Sequence, residues 1–427
     1  MIHKLIYKAG VRLRSPELFT EYKFLKESEK WSIEKLEAYQ LQRLKRIVGI
    51  AYNKSSFYSS LFGAAGVKPE DIKSLADIKK IPSTTKTDLL NNTEAIQNKE
   101  GYRKLFFSET SGSTGEPLAF YRNSEWDAGH RAAILRGYSW HGVNPWDLNG
   151  YFWGYSLSAK SKLVTKAFDA LLNRFRVFSY DKGEIKKFAT KLKRATYLEG
   201  YSSMIYEVAK LINEDSSGPF NLKMVKGTSE KIYDSYQEEA KKAFGQKIVS
   251  EYGSVETGII AYECKEGHMH IAMENVIVEE EDGEIIVTNL NSDSFPIIRY
   301  RLGDSVVLGH ETACPCGMQH KIICEVIGRV GKVIYGNKNK YPSLTLYYIF
   351  KNMALKYGMI INYQAIQKEK GSIEFYLDRK MSSQTEENLR GECLSYFSDD
   401  IDAVFYPNKL KRDYNKKLRD FISEIDT

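Results

Sequence analysis

No stretch of this 427-residue chain approaches the roughly 20 consecutive apolar residues that a bilayer-spanning helix needs. The N-terminal segment also lacks the continuous hydrophobic core of a secretion signal, so the cytoplasm is the expected location. Proline is scarce, at 10 residues; with 42% hydrophobic and 27% charged residues, this excludes collagen-like and disordered classes. Cysteine is scarcer still. Five of them (264, 314, 316, 324 and 393), an odd number, argue against a disulfide framework and for reduced thiols or metal ligands. A surplus of one charge is lacking too: 62 Lys and Arg against 55 Asp and Glu leave +7, too thin over this length to suggest a nucleic-acid face.

What is present supports more than one folded core, and two domains are expected from the length. Residues 1 to 14 set Lys4, Lys8, Arg12 and Arg14 among Ile2, Leu5, Ile6 and Val11. A packed amphipathic helix is the commoner fate of such a stretch, and a helix lying on an anionic membrane surface is the alternative. Residues 31 to 66 read as helical, with Leu41, Leu44 and Val48 on one face. Leu105 to Phe107 and Leu118 to Tyr121 read as strands joined by a polar loop. Tyr233, Tyr236, Ala240 and Phe244 share a helical face that Gly245 closes, and a strand is expected at 247 to 250. Further strands are predicted at 275 to 278, 284 to 288, 296 to 300 and 305 to 308, the first two joined by an Asp282-Gly283 turn. Beyond residue 331, a helix at 344 to 356, a strand at 373 to 377, a helix at 384 to 397 and a strand at 403 to 406 predict a small α+β unit.

The loop SETSGSTGEP packs Ser108, Thr110, Ser111, Ser113 and Thr114 around Gly112 and Gly115, offering hydroxyls and unhindered backbone N–H groups to an anion. It lacks the lysine of a Walker-type loop and is flanked by strands, which excludes that class of nucleotide site. On its own such a loop is equally a flexible turn.

Four further motifs follow it in order: EYGSVETG at 251 to 258, RYRLGD at 299 to 304, GRVGKVI at 328 to 334 and RDYNKKLR at 412 to 419. Together they resemble the adenylate-forming enzymes, in the phenylacetate–CoA ligase branch and its capsule-biosynthesis (CapK-like) relatives, from about residue 35 onward. The resemblance implies an α/β fold with an α+β part: a large multi-layer adenylation domain with a helical N-terminal region over 1–330, and a small mobile C-terminal lid over 331–427. It implies that Ser111, Gly112, Ser113, Thr114 and Gly115 clamp the triphosphate of ATP, although Leu118 stands where many relatives have a lysine. It implies that Tyr252 stacks on adenine, with Gly253 beside it, and that Ser254 sits near the α-phosphate. Glu256 matches the carboxylate that holds Mg²⁺, for which an oxygen ligand is apt. Asp304 matches the acceptor of both ribose hydroxyls, Glu230 the glutamate beside adenine, Arg329 a ribose or phosphate contact, and Lys417 the lysine that bridges carboxylate and α-phosphate. Gly331 replaces the aspartate common at the hinge, and Lys416 replaces a glycine.

Cys264, Cys314 and Cys316 with one histidine of CKEGHMH make a complete tetrahedral set for structural Zn²⁺. His270, at the position seen in some relatives, is chosen over His268. The implied activity is AMP-forming ligation: a carboxylic acid is adenylated, then passed to CoA, a carrier protein or a sugar acceptor, with a homodimer also among the expected partners. Residues 138 to 155 hold Tyr138, Trp140, Trp146, Tyr151, Phe152, Trp153 and Tyr155, which would suit an aromatic acid or serve as core. The alternative from another class is a zinc-stabilised scaffold on a retired adenylation fold, against which Glu256, Asp304 and Lys417 argue.

Overall fold

In the computed structural model, the described residues are 2–110, 117–152, 159–177, 182–309, 314–329, 333–410 and 420–425. The chain begins with α1 (Ile2–Arg14), α2 (Leu18–Ser28), α3 (Ile33–Lys54) and α4 (Ser56–Ala64). The predicted single helical segment is therefore two, because Ser55 leaves the helical conformation and its side chain caps α4 by accepting from the Tyr58 N–H. Buried Leu36, Leu44, Ile47 and Val48 turn α3 onto a core shared with the strands beyond residue 260. Short helices α5 (Lys86–Asn91) and α6 (Thr93–Ile96) lead into the hairpin of β1 (Leu105–Glu109) and β2 (Ala119–Asn123). A long helix α7 (Ser124–Trp140) follows.

The next region alternates strand and helix: β3 (Asn149–Phe152), α8 (Ala159–Leu171), β4 (Arg174–Arg176), α9 (Lys182–Leu192), β5 (Tyr197–Tyr201), α10 (Ser202–Glu214), β6 (Met224–Thr228), α11 (Asp234–Phe244) and β7 (Ile248–Ser254). Neighbouring strands here pair in parallel, as helical crossovers require. β5 and β6 are buried at four successive positions, so both faces are covered. Gly245 ends α11 as predicted, and does so in the left-handed conformation, at φ 69°.

Antiparallel strands extend the sheet: β8 (Gly258–Glu263), β9 (Met269–Ile271), β10 (Val276–Glu281), β11 (Glu284–Asn289), β12 (Tyr300–Leu308) and β13 (Ile322–Arg329). Among the described residues, strands β3 to β13 form one sheet in the order β10-β11-β12-β13-β9-β8-β7-β6-β5-β3-β4. The Asp282-Gly283 turn has φ 55° and 76° at its two residues, the mirror-image turn that suits a tight hairpin. The strand expected at 296 to 300 forms only at its last residue. Its backbone groups go elsewhere: Tyr58 Oη donates to the Pro296 carbonyl, the Ile297 N–H donates to Ser292 Oγ, and the Arg299 carbonyl accepts from the Thr84 N–H.

Ile334 to Phe421 build a separate hydrophobic core. It holds β14 (Val333–Tyr335), β15 (Lys340–Pro342), α12 (Leu344–Tyr357), β16 (Tyr363–Gln367), β17 (Ser372–Leu377), α13 (Ser383–Phe397), β18 (Asp402–Tyr406) and β19 (Phe421–Ser423). Ile373, Phe375 and Leu377 alternate inward along β17. This unit meets the larger body at the start of α11, where Tyr233 Oη donates to Asp420 at 2.6 Å and Ser235 Oγ lies 3.0 Å from Asn362 Oδ1.

Candidate functional site

Parallel strands deliver their C-terminal ends to one edge, and there an α/β sheet binds its ligands. Thr228, Glu251 and Tyr201 are in register on neighbouring strands β6, β7 and β5. Glu230 follows β6 directly, its carbonyl accepting from Ser202 Oγ at 3.2 Å. β7 carries Tyr252, Gly253 and Ser254 past the end of β6 into the turn that holds Glu256. Gly253 is required by space: a Cβ there would lie 2.3 Å from the Gly258 carbonyl oxygen across the β7–β8 bulge. Ser254 Oγ accepts from the Thr257 N–H at 3.1 Å and lies 2.9 Å from the Thr257 hydroxyl, closing the turn.

Two hydrogen bonds tie this turn to the RYRLGD motif on β12. Tyr252 Oη donates to Asp304 Oδ2 at 2.9 Å, and Tyr300 Oη donates to Glu256 Oε1 at 3.3 Å. Tyr300 and Asp304 stand four positions apart, on the same side of an ideal strand. Asp304 is in turn opposite Arg329 in the β12–β13 register. Tyr252, Glu256, Asp304 and the backbone of Arg329 are thereby brought together. Ser111 to Gly115 and Lys417 lie outside the described residues, as do Trp153, Tyr155 and Gly331. The base of the Ser/Gly loop is described: Thr110 and Leu118 close it with a backbone bond of 3.0 Å and a 2.9 Å bond from the Leu118 N–H to Thr110 Oγ1.

Beneath the strand ends lies a buried ionic cluster that sequence reasoning missed. Lys226 on β6 bridges Glu251 at 2.9 Å and Glu199 at 3.1 Å, and Arg174 reaches the other Glu199 oxygen at 3.2 Å. Tyr138 donates to the same carboxylate. Burial pushes the Lys226 ammonium toward its neutral form, but Glu251 and Glu199 outweigh it and hold the ammonium charged, well above its ordinary range. Burial likewise pushes the Glu199 carboxyl up, and Lys226 and Arg174 overcome it to leave the carboxyl below its ordinary value. The signal was a lysine inside the apolar strand MVKGT, but its partners sit on other strands. Trp126 Nε1 and His130 Nδ1 are also buried, without hydrogen-bond partners among the described residues, and face the Cα of Gly258 at the end of the same turn.

The four aromatics Tyr138, Trp140, Trp146 and Phe152 of the run do not converge on one pocket. Tyr138 joins the ionic cluster, Trp140 lies 6.1 Å from the His270 ring, Trp146 packs edge-on against Tyr7, and Phe152 packs on Phe188 in the core.

The cysteine set does converge. The candidate ligand atoms of Cys264, His270, Cys314 and Cys316 all lie within 4.8 Å of one another. Cys264 and Cys314 sulfurs are 3.7 Å apart, and Cys316 Sγ is 3.3 Å from His270 Nε2. Tetrahedral zinc with bonds of about 2.3 Å to sulfur spaces two sulfurs by about 3.8 Å, so the donor set fits the metal. His270 Nδ1 faces the His320 carbonyl at 3.3 Å, which presents Nε2 to the sulfurs. Burial lowers the His270 imidazole to about 4, keeping it neutral as a ligand must be. His268 Nδ1 lies 3.3 Å from Cys314 Sγ but outside the four-residue group.

No protein-family model matches the chain. It is 28% identical to the protein CapK of Staphylococcus aureus over 305 residues, 68% of this chain and 67% of that one. It is 25% identical to a phenylacetate–coenzyme A ligase of Thermus thermophilus over 334 residues, 73% of this chain and 74% of the relative. In fold it is similar to a crystal structure of 2-hydroxyisobutyryl-CoA ligase in the postadenylation state, with a TM-score of 0.70 and 18% identity over 93% of this chain and 92% of that one. Motif order and these relatives agree: the chain is similar to the phenylacetate–CoA ligases and CapK in sequence, and it shares the fold of an AMP-forming CoA ligase.

Proposed function

We propose that the chain is an AMP-forming carboxylate ligase that makes an acyl-adenylate from ATP and then an acyl thioester with CoA or a carrier thiol. The observation that carries this is the pair of bonds, Tyr252 to Asp304 and Tyr300 to Glu256, that fixes two motif carboxylates beside the ends of the parallel strands. In this reading a carboxylate oxygen of the substrate attacks the α-phosphorus of ATP, the bond to the bridging oxygen breaks, and pyrophosphate leaves. Asp304, oriented by Tyr252, accepts the ribose hydroxyls, and the Tyr252 ring carries adenine. Glu256, buried and held by Tyr300, offers carboxylate oxygen to Mg²⁺. Bound there, the ion would neutralise charge along the triphosphate. Ser111 to Gly115 would hold the outer phosphates through hydroxyls and N–H groups.

Lys417 would supply the remaining positive charge at the reacting phosphorus. Asp420, close behind it in sequence, is anchored to Tyr233 beside the β6 end, which supports that assignment. The acyl chain would lie beside Gly258, where Trp126 and His130 each keep a polar atom unpaired among the described residues. The Cys264, His270, Cys314 and Cys316 set would hold Zn²⁺ as a closed structural site, stiffening the strands rather than reacting. The likeness to CapK makes a sugar acceptor in surface-polysaccharide synthesis the second acceptor to test.

Carboxylate-dependent ATP–pyrophosphate exchange across aryl, fatty and hydroxy acids tests this directly. One acid or more should support exchange, and Glu256→Gln and Lys417→Ala should each reduce it about 100-fold or more. Absence of exchange with every acid, or full exchange in both variants, would overturn the assignment.

A further inference from the structure

One face of the molecule serves neither the strand-end site nor the cysteine cluster. α1 meets the body through His3, whose Nδ1 lies 3.1 Å from the Leu171 carbonyl, through Tyr7 against Trp146, and through Val11. Its other side is left open: Ile2, Leu5 and Leu13 are each more than half exposed, Leu13 by 85%. These positions recur at helical spacing and form a stripe. α8 has the same character. Leu163, Val164, Phe168 and Leu171 are exposed, while its carboxylate, Asp169, is turned inward onto Arg176 at 2.8 Å. The contact between His3 and Leu171 joins the two helices on one side of the molecule. Apolar exposure of this extent marks an interaction surface.

The exposed charge carried by the described residues of the two helices has one sign. α1 contributes Lys4, Lys8, Arg12 and Arg14 and no acidic residue, and α8 adds the exposed Lys166. Where α8 ends, a cavity of about 540 Å³ opens against the end of α9. Lys191, Lys193 and Arg194 line it with no carboxylate among its lining residues, while Arg174, also in its wall, is committed to Glu199. A second copy of the chain is a poor occupant, because a two-fold pairing would set this basic face against itself. Apolar tips rimmed by cations complement acyl chains beneath anionic headgroups. None of the described helices is long and apolar enough to cross a membrane, so any attachment through this face lies on the surface.

We propose that α1 and α8 form a peripheral docking face for an anionic phospholipid surface, with the basic cavity receiving a headgroup phosphate. The face would hold the enzyme at a bilayer while its strand-end site stays in water.

The test is flotation of the full chain with vesicles of phosphatidylglycerol and phosphatidylcholine, against vesicles of phosphatidylcholine alone. The chain should float only with the anionic vesicles, and salt near 1 M, where the screening length falls to about 3 Å, should release it. Lys8→Ala with Arg12→Ala should weaken partitioning about thirtyfold. Leu5→Asp with Phe168→Asp should abolish it, with circular dichroism and ATP–pyrophosphate exchange unchanged. Failure to float with anionic vesicles, equal flotation with neutral ones, or flotation that survives both double substitutions would overturn the proposal. So would a dimer of the wild-type chain that sediments as a monomer after Leu5→Asp with Phe168→Asp, which would give the face to a second copy.

Discussion

Replacing Lys226 by methionine removes the cation that sits between Glu199 and Glu251. The three side chains are 6%, 5% and 8% exposed, so water cannot take over the charge. Arg174, 3.2 Å from Glu199, still compensates one carboxylate, but Glu251 loses its ammonium partner. Breaking a buried pair by deleting one member costs about 3–5 kcal/mol, and the surviving Arg174 contact puts the expectation at the lower end, about 3 kcal/mol. Urea unfolding followed by tryptophan fluorescence measures it. The loss should depend on pH with a definite sign. In the wild type the Glu199 carboxyl is held low, so its ionisation contributes stability that is present above the ordinary carboxylate range and lost as pH falls through it. Without Lys226, burial is opposed by Arg174 alone, and that contribution shrinks or reverses. The gap between wild type and variant should therefore be widest near pH 7 and narrow as pH falls toward about 4. Adding Glu251→Gln should recover part of the loss. A cost under about 1 kcal/mol, or one that is the same at pH 4 and pH 7, refutes the account of a mutually dependent buried cluster.

Tyr252→Phe removes the bond that orients Asp304 and should raise the KM for ATP about fivefold, the effect of one hydrogen bond of about 1 kcal/mol; an unchanged KM would mean that Asp304 needs no help. Gly253→Ala pushes a methyl group against the Gly258 carbonyl, so the bulge must open at a cost of about 1–3 kcal/mol; exchange activity should fall more than tenfold, and a fully active variant contradicts the geometry. Purified without chelator, the chain should carry about one zinc per molecule, and Cys264→Ser should lose it together with thermal stability. Metal analysis that finds no zinc in the wild type would leave the four donors as free thiols and an imidazole.

The sequence by itself determined the order of chemistry along the chain and most of the local structure. The turn at Asp282-Gly283, the left-handed stop at Gly245 and the alternation in β17 are written in adjacent residues, because backbone sterics and period-two burial act locally. The motif residues Tyr252, Glu256 and Asp304 were legible only through the resemblance of their short runs, taken together and in order, to the adenylate-forming enzymes. Only the tertiary structure decided what those residues touch. Tyr300 and Glu256 meet because β12 and the β7–β8 turn fold to the same edge, and Lys226 finds its carboxylates on two strands that are remote in sequence. Tyr138, Trp140, Trp146 and Phe152 of the aromatic run, which suited a pocket or a core equally by sequence, fall into four environments, since direction out of a helix or strand, not proximity in sequence, chooses a neighbour. The fate of the basic N-terminal segment was likewise undecided by its pattern: amphipathicity specifies a helix with an apolar side, and only the packing of α1 shows that much of that side is left facing solvent.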